Sequence, residues 1–306
     1  MITVERVADV RRLCDDARRA GKSVGLVPTM GSFHEGHRSL MHEARAATDF
    51  VVVTLFVNPL QFAPTEDLAA YPRDFDRDAA IAAAAGADVL FAPPVTEMYP
   101  DRMLTTVHVG ELGDELCGQS RPGHFDGVAT VVTKLFSIVG ASTAFFGRKD
   151  AQQLAIVRRL VRDLDLPVTV IGCSLVREPD GLAMSSRNAY LEPHERVAAA
   201  VLSRALGRAA AAVVDGERDA GAVERILVGE LATEPLVTLD YAAVRDAFTL
   251  QPVTVLDGEI LVAVAARVGR ARLIDNCTIS IRESGVDVDL GTITTPSESE
   301  ASCAAP

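Results

Sequence analysis

Two apolar runs bracket a helical stretch near the start of this chain, and that arrangement restricts the fold more than any other feature. Residues 24–27 (Val-Gly-Leu-Val) and 50–57 (Phe-Val-Val-Val-Thr-Leu-Phe-Val) read as buried strands, and from about His37 onward Leu40, Met41 and Ala44 share one face of a helix. Strand, helix and strand at this spacing form a right-handed crossover in a parallel sheet. In such a sheet ligands lie beyond the carboxyl ends of the strands. The expected fold class is therefore α/β, with a Rossmann-like parallel sheet.

The turn between the first strand and its helix carries unusual chemistry. Pro28 and Gly31 are expected to end the strand, and His34 and His37 then sit three residues apart where the helix opens. A helix N-terminus offers free N–H groups and favours an anion, so donors, dipole and imidazoles together suit a phosphate chain. One alternative is a capping histidine beside a surface one. A zinc site is another, since His34, His37 and His42 lie close together, but the metalloprotease pattern needs histidines at i and i+4 with Glu beside the first.

Further along, strands are expected at 89–92, 105–109, 144–147 and 168–176, and helices at 5–20, 74–86 and 128–139. Asn58 and Gln61 leave the second strand, where they present neutral donors and acceptors or form a plain Asn-Pro turn. Residues 63–73, with Glu66, Asp67, Tyr71 and Arg73, read as a gate or an ordinary surface loop. Gly147, Arg148, Lys149 and Asp150 repeat the pattern of strand, glycine and helix start, followed by Gln152 and Gln153. Lys149 would bring positive charge to phosphate, and Asp150 would meet ribose or cap the helix. Arg121, and the hydroxyls of Ser185 and Ser186 with Arg187, are candidates for anionic oxygens.

After Pro193 the composition turns to Ala-rich helix at 194–214 and 218–232, then short strands at 237–244, 254–256, 260–268 and 271–274. That is a smaller α+β domain. The expected division is 1–176, 177–282 and a disordered Gly-, Ser-, Thr-, Glu- and Pro-rich tail at 283–306.

A formal net charge of −12 disfavours nucleic-acid binding, and no Lys/Arg run offsets it. The five scattered cysteines show neither a disulfide framework nor a zinc ribbon. With no signal-like N-terminus and no apolar run near the ~18–20 residues that span a bilayer, the expectation is a cytoplasmic protein without a membrane partner.

His34-Glu35-Gly36-His37 resembles the signature of the nucleotidyltransferase superfamily that includes class I aminoacyl-tRNA synthetases. The combination is more specific. Pro28-Thr29-Met30-Gly31, Phe56-Val57-Asn58-Pro59-Leu60-Gln61-Phe62, Tyr71-Pro72-Arg73, Arg121-Pro122-Gly123-His124-Phe125, Phe145-Phe146-Gly147-Arg148-Lys149-Asp150 and Met184-Ser185-Ser186-Arg187-Asn188 stand in the order and spacing of the pantoate–β-alanine ligases. The resemblance covers about residues 1–282.

The resemblance implies a two-step reaction. Pantoate attacks the α-phosphate of ATP, and the amine of β-alanine then takes the pantoyl group, releasing AMP. It further implies a Rossmann-like ATP domain, a smaller C-terminal lid, a homodimer, and Mg²⁺ travelling with ATP without an assigned protein ligand. By resemblance His37, His34, Lys149 and Arg187 are catalytic, with His37 matching the general acid. ATP contacts fall on Met30, Gly31, His34, His37, Gly147, Lys149, Asp150, Val176, Met184, Ser185, Ser186 and Arg187, and pantoate contacts on Asn58, Gln61 and Gln153. Gln61 also faces β-alanine. Arg148 and Ala151 depart from the family, which usually has Glu and an aromatic residue there. Competing readings are another adenylyltransferase, a non-catalytic nucleotide-binding module and a tRNA ligase. The last is disfavoured by the acidic chain.

Overall fold

In a computed structural model, residues 1–63, 68–69 and 71–294 are described. Glu66 and Asp67 of the expected gate, and the tail from 295, lie outside them. The chain divides into two units, Met1–Cys173 and Ser174–Pro306.

The first unit runs β1 (Ile2–Val4), α1 (Val7–Arg19), β2 (Val24–Thr29), α2 (Glu35–Ala47), β3 (Phe50–Leu55), α3 (Phe75–Ala84) and β4 (Val89–Phe91). Three single-turn helices follow, α4 (Val95–Met98), α5 (Glu111–Asp114) and α6 (Cys117–Ser120). Then come α7 (His124–Val139), β5 (Ser142–Gly147), α8 (Ala151–Asp163) and β6 (Val168–Cys173). The strands form one sheet in the order β1-β4-β3-β2-β5-β6, parallel throughout.

The order reverses at β2, because β3 and β4 lie to one side and β5 and β6 to the other. A crevice therefore opens beyond the carboxyl ends of β2 and β5. Val27, Val51, Val53, Leu90 and Phe145 pack with Leu40, Met41 and Ala44 of α2 and Ala82 of α3. Leu26 and Val52, of opposite parity, are also 0% exposed, so both faces of these strands are covered.

Several expectations change here. β2 continues through Pro28 to Thr29, with Pro28 level with Thr54. Its ladder to β5 has already ended at Leu26 and Ala144, where a missing N–H is tolerated. β1 carried no sequence expectation. Residues 105–109 form no strand. Their backbone is held by side chains of α7 instead, Val107 N–H donating to Thr130 Oγ1 (2.9 Å) and Val109 N–H to Asp126 Oδ1 (2.8 Å).

The second unit begins with β7 (Val176–Arg177), which is separate from β6 and does not belong to the parallel sheet. It continues with α9 (Pro193–Ala199), α10 (Val201–Val214), α11 (Ala220–Leu231), β8 (Val237–Asp246), β9 (Gly258–Val268), β10 (Ala271–Arg282), β11 (Gly285–Asp289) and β12 (Thr292–Ile293). An antiparallel sheet in the order β11-β10-β9-β8 packs against α10 and α11 through Leu202, Leu206, Leu227, Val262, Val264 and Ile279. The stretch Pro193–Val214 is long and apolar enough to cross a membrane by composition, contrary to expectation, but its Val201, Leu202, Ala205, Leu206 and Ala209 belong to this core. Residues 254–256 make only an isolated bridge, Val255 with Asp219. The expectation of disorder from 283 is overturned for the described part, because β11 and β12 occupy it. Val286, Val288 and Leu290 alternate and pack on the core.

Candidate active site

The turn after β2 is built to hold two histidines. Gly31 and Ser32 adopt left-handed backbone (φ 86° and 55°), which reverses the chain before α2. Asp78 of α3, 1% exposed, accepts hydrogen bonds from the Ser32 and Phe33 N–H groups, both at 2.7 Å. A buried carboxylate thus fixes the turn, and the two N–H groups supply the polar partners it needs.

His34 caps α2, its Nδ1 accepting from Gly36 N–H at 3.1 Å. The His34 N–H in turn reaches His37 Nδ1 at 3.4 Å. With both Nδ1 atoms accepting, the neutral rings carry their protons on Nε2. The rings lie 4.2 Å apart between centroids. Burial drives His34 down to about 2, with the charges of His37, Lys149 and Arg77 adding to it. Burial likewise lowers His37 to about 4, helped by Lys149 and opposed by Asp150. Both imidazoles are therefore neutral N–H donors at neutral pH. Lys149, distant in sequence, is close enough to act on both.

A second group of side chains sits on the Met30 side of this turn. Asn58 and Gln61 are buried and bonded to each other, Nδ2 to Oε1 at 3.0 Å. Asn58 Nδ2 also donates to Gly127 O (3.1 Å), and its Oδ1 accepts from Tyr99 Oη–H (2.8 Å). Gln61 Nε2 contacts Met30 Sδ at 3.1 Å. The Gln61 carbonyl meets His124 Nδ1 at 2.8 Å and Arg121 Nη2 at 3.3 Å, and Arg121 Nη1 lies 2.9 Å from His124 Nε2. Lys134 stands 5.6 Å from the centre of the Tyr99 ring.

After β5, Gly147 leads into a 3₁₀ turn, Arg148–Asp150, and then α8. Asp150 sits at the N-cap of α8 but makes no capping hydrogen bond, so the capping alternative is not what this structure shows. Arg148 Nε donates to Gly172 O at 3.2 Å, directing it toward β6. Gln152 is buried, accepting from Cys117 N–H and donating to Leu112 O and Glu115 O. Gln153 beside it stays partly exposed.

The remaining candidates lie in the second unit. Val176 O accepts from Met184 N–H at 2.9 Å. Ser185 Oγ accepts from Arg187 N–H at 3.3 Å and opens a 3₁₀ helix, Ser186–Tyr190. Asn188 donates to Glu178 (2.9 Å) and Ala183 O (3.1 Å), and Arg196 pairs with Glu178 at 2.6 Å, which braces this loop.

Asp78, Arg77, Tyr99 and His124 carried no site expectation. Only His124 stood inside a quoted motif. Asp78 and Arg77 sit on the Ala-rich helix α3.

No group of three or more His, Cys, Asp or Glu side chains among the described residues could hold a metal ion.

The chain is similar to known proteins along most of its length. The chain is 53% identical over 281 residues to a pantothenate synthetase of Heliobacterium modesticaldum, covering 92% of this chain and 100% of that one. It is 51% identical to that of Geobacter sulfurreducens, covering 91% and 99%. A crystal structure of the pantothenate synthetase from Thermus thermophilus superposes with a TM-score of 0.85 at 46% identity, covering 90% of this chain and 98% of that one. A pantoate–β-alanine ligase from Francisella tularensis, complexed with β-γ ATP and β-alanine, superposes at 0.71 and 31% identity, covering 90% and 97%. The family model for pantoate–β-alanine ligase matches residues 2–278, and the chain belongs to that family.

Proposed function

We propose that the histidine turn after β2 activates pantoate on ATP, within the reaction of a pantoate–β-alanine ligase. That reaction is an ATP-dependent condensation of pantoate with β-alanine. A pantoate carboxylate oxygen bonds to the α-phosphorus while the bond to the bridging oxygen breaks, and pyrophosphate leaves. The β-alanine amine then attacks the pantoyl carbonyl, AMP leaves and the amine loses its proton, giving pantothenate.

The observation that carries the reading is the pair of neutral imidazoles at the start of α2, each with Nδ1 engaged by backbone N–H and Nε2 left as the donor. Attack at phosphorus brings an anion to an anionic chain, so the site must supply donors and positive charge already in place. His34 and His37 donate to the phosphate oxygens, and Lys149 neutralises the charge that builds. A bound polyphosphate raises the imidazole pKa values from about 2 and about 4, which lets His37 act as the acid toward the leaving pyrophosphate.

Asn58, Gln61 and Gln153 orient pantoate, with Gln61 also facing β-alanine. Met30, Gly31, Gly147, Asp150, Val176, Met184, Ser185, Ser186 and Arg187 are the residues assigned to the nucleotide. The first-unit segments support this by following β2 and β5, where the sheet order reverses. Mg²⁺ enters on the ATP phosphates. The enzyme works as a cytoplasmic homodimer. The buried thiols of Cys14, Cys173 and Cys277 suit a reducing compartment.

The test follows products from ATP and pantoate, with and without β-alanine. The expected result is AMP and pyrophosphate, with AMP rising in step with pantothenate once β-alanine is added. ADP, or a dinucleotide product, would defeat the reading.

A further inference from the structure

The family match stops at residue 278, inside β10, and the Heliobacterium relative is matched over its whole length by 281 of this chain's 306 residues. β11 and β12 therefore lie past the end of the family match. Their path is specific. β11 pairs with β10 from Thr278–Asp289 to Arg282–Gly285, and Val286, Val288 and Leu290 seat it on the core of the second unit. Gly291, in left-handed backbone (φ 85°), then turns the chain so closely over Leu175 that a Cβ there would lie 2.4 Å from the Leu175 carbonyl oxygen.

The next three residues bond to β7. Thr292 N–H donates to Leu175 O at 2.8 Å, and Thr294 N–H and Oγ1–H both donate to Arg177 O, at 2.9 and 3.0 Å. The Arg177 side chain answers from the other direction, with Nε donating to Leu290 O and the guanidinium forming a buried two-point pair with Asp275 (2.7 and 3.0 Å). On its opposite edge β7 accepts from Met184 N–H and bridges Ala183. β7 is thus the middle of three segments, with the C-terminal strand on one side and the chain leading into Ser185, Ser186 and Arg187 on the other. Leu175, Val176 and Arg177 are buried with β12 in place, and Thr292 and Thr294 supply the donors for the Leu175 and Arg177 carbonyls.

We propose that residues 285–294 are a positioning strap for ATP binding. They hold β7 in register, and through the Val176–Met184 bond they hold the loop that carries Ser185, Ser186 and Arg187. The proposal rests on the reading above that Val176 and residues 184–187 contact ATP.

Three variants decide it: a chain ending at Thr294, a chain ending at Arg282, and the full chain with Thr292→Pro, which removes one donor without deleting the strand. The Thr294 chain is expected to behave as the full chain. The Arg282 chain and Thr292→Pro are expected to raise the KM for ATP about tenfold, with kcat and the KM for pantoate changed by less than about twofold. Amide exchange across residues 175–184 is expected to accelerate in both. An unchanged KM for ATP in Thr292→Pro, with or without faster exchange, overturns the positioning role. So does a parallel loss of kcat and of affinity for both substrates, which marks general damage. Failure of the full chain to form AMP from ATP and pantoate overturns the functional reading instead, and the exchange measurement still reports whether the strap holds β7.

Discussion

The two turns that leave the sheet at β2 and β5 do related work by opposite means. After β2 the chain is over-determined: two left-handed residues in succession, a buried Asp78 holding two N–H groups, and a histidine that caps its own helix. After β5 the chain turns without any left-handed residue. Gly147 has ordinary extended backbone (φ −75°) and open space around it, and Asp150 makes no cap. In the proposed reaction the first turn would hold rigid donors where charge develops, which is where preorganisation contributes most. The second presents a long, flexible lysine, whose point charge tolerates variation in distance.

That contrast can be broken in several places. The largest effect is expected from His37→Ala, which should slow pyrophosphate release in a single turnover on the order of 10²–10³-fold while leaving the melting temperature almost unchanged. Full turnover in this variant would remove the first turn from the chemistry.

Asp78→Ala should next cost about 2–4 kcal/mol of stability, because the part-buried Ser32 and buried Phe33 N–H groups lose their shared carboxyl acceptor. Asp150→Ala should cost less than about 0.5 kcal/mol, because no capping bond is lost. Urea midpoints compare the pair, and equal losses would erase the distinction.

A pH titration of stability probes the same turn. Both imidazoles ionise below the ordinary value of 6.5, His37 at about 4 and His34 at about 2. The unfolded chain therefore binds more protons below about pH 6.5. Their contribution is complete above that value and is lost as pH falls from 6.5 through about 4 for His37 and toward about 2 for His34. A His34→Gln, His37→Gln double variant should flatten that slope, and an unchanged slope would assign the acid sensitivity elsewhere.

The smallest contrast is between glycines. Gly31→Ala should cost about 1–2 kcal/mol, since its φ of 86° is unfavourable for alanine and the new Cβ would lie 2.9 Å from Asp78 Oδ2. Gly147→Ala should be within about 0.5 kcal/mol of neutral. Thermal melts of the two single variants suffice.

The legible part of this protein was local. Alternating and continuous apolar runs marked β2, β3, β5 and most helices, and the spacing of His34 and His37 placed them at a helix start that the structure also has. Where expectation failed, partners distant in the chain decided. Residues 105–109 have a strand-like pattern, yet Thr130 and Asp126 of α7 take their N–H groups before any strand can. The polar run after 283 conceals a period-two set, Val286, Val288 and Leu290, that becomes a strand because β10 offers an edge.

The sequence by itself determined the βαβ start, the parallel sheet that follows from it, and which residue types stand at the strand exits, since these depend on side-chain periodicity and turn chemistry over a few residues. Only the tertiary structure decided that Asp78 fastens the histidine turn from 45 residues away, that Tyr99 completes the Asn58 and Gln61 pair, and that the C-terminal strand covers β7. The physical reason is the same in each case. A buried polar group takes whichever partner the packed chain brings within reach, and that choice leaves no periodic trace in the residues on either side of it.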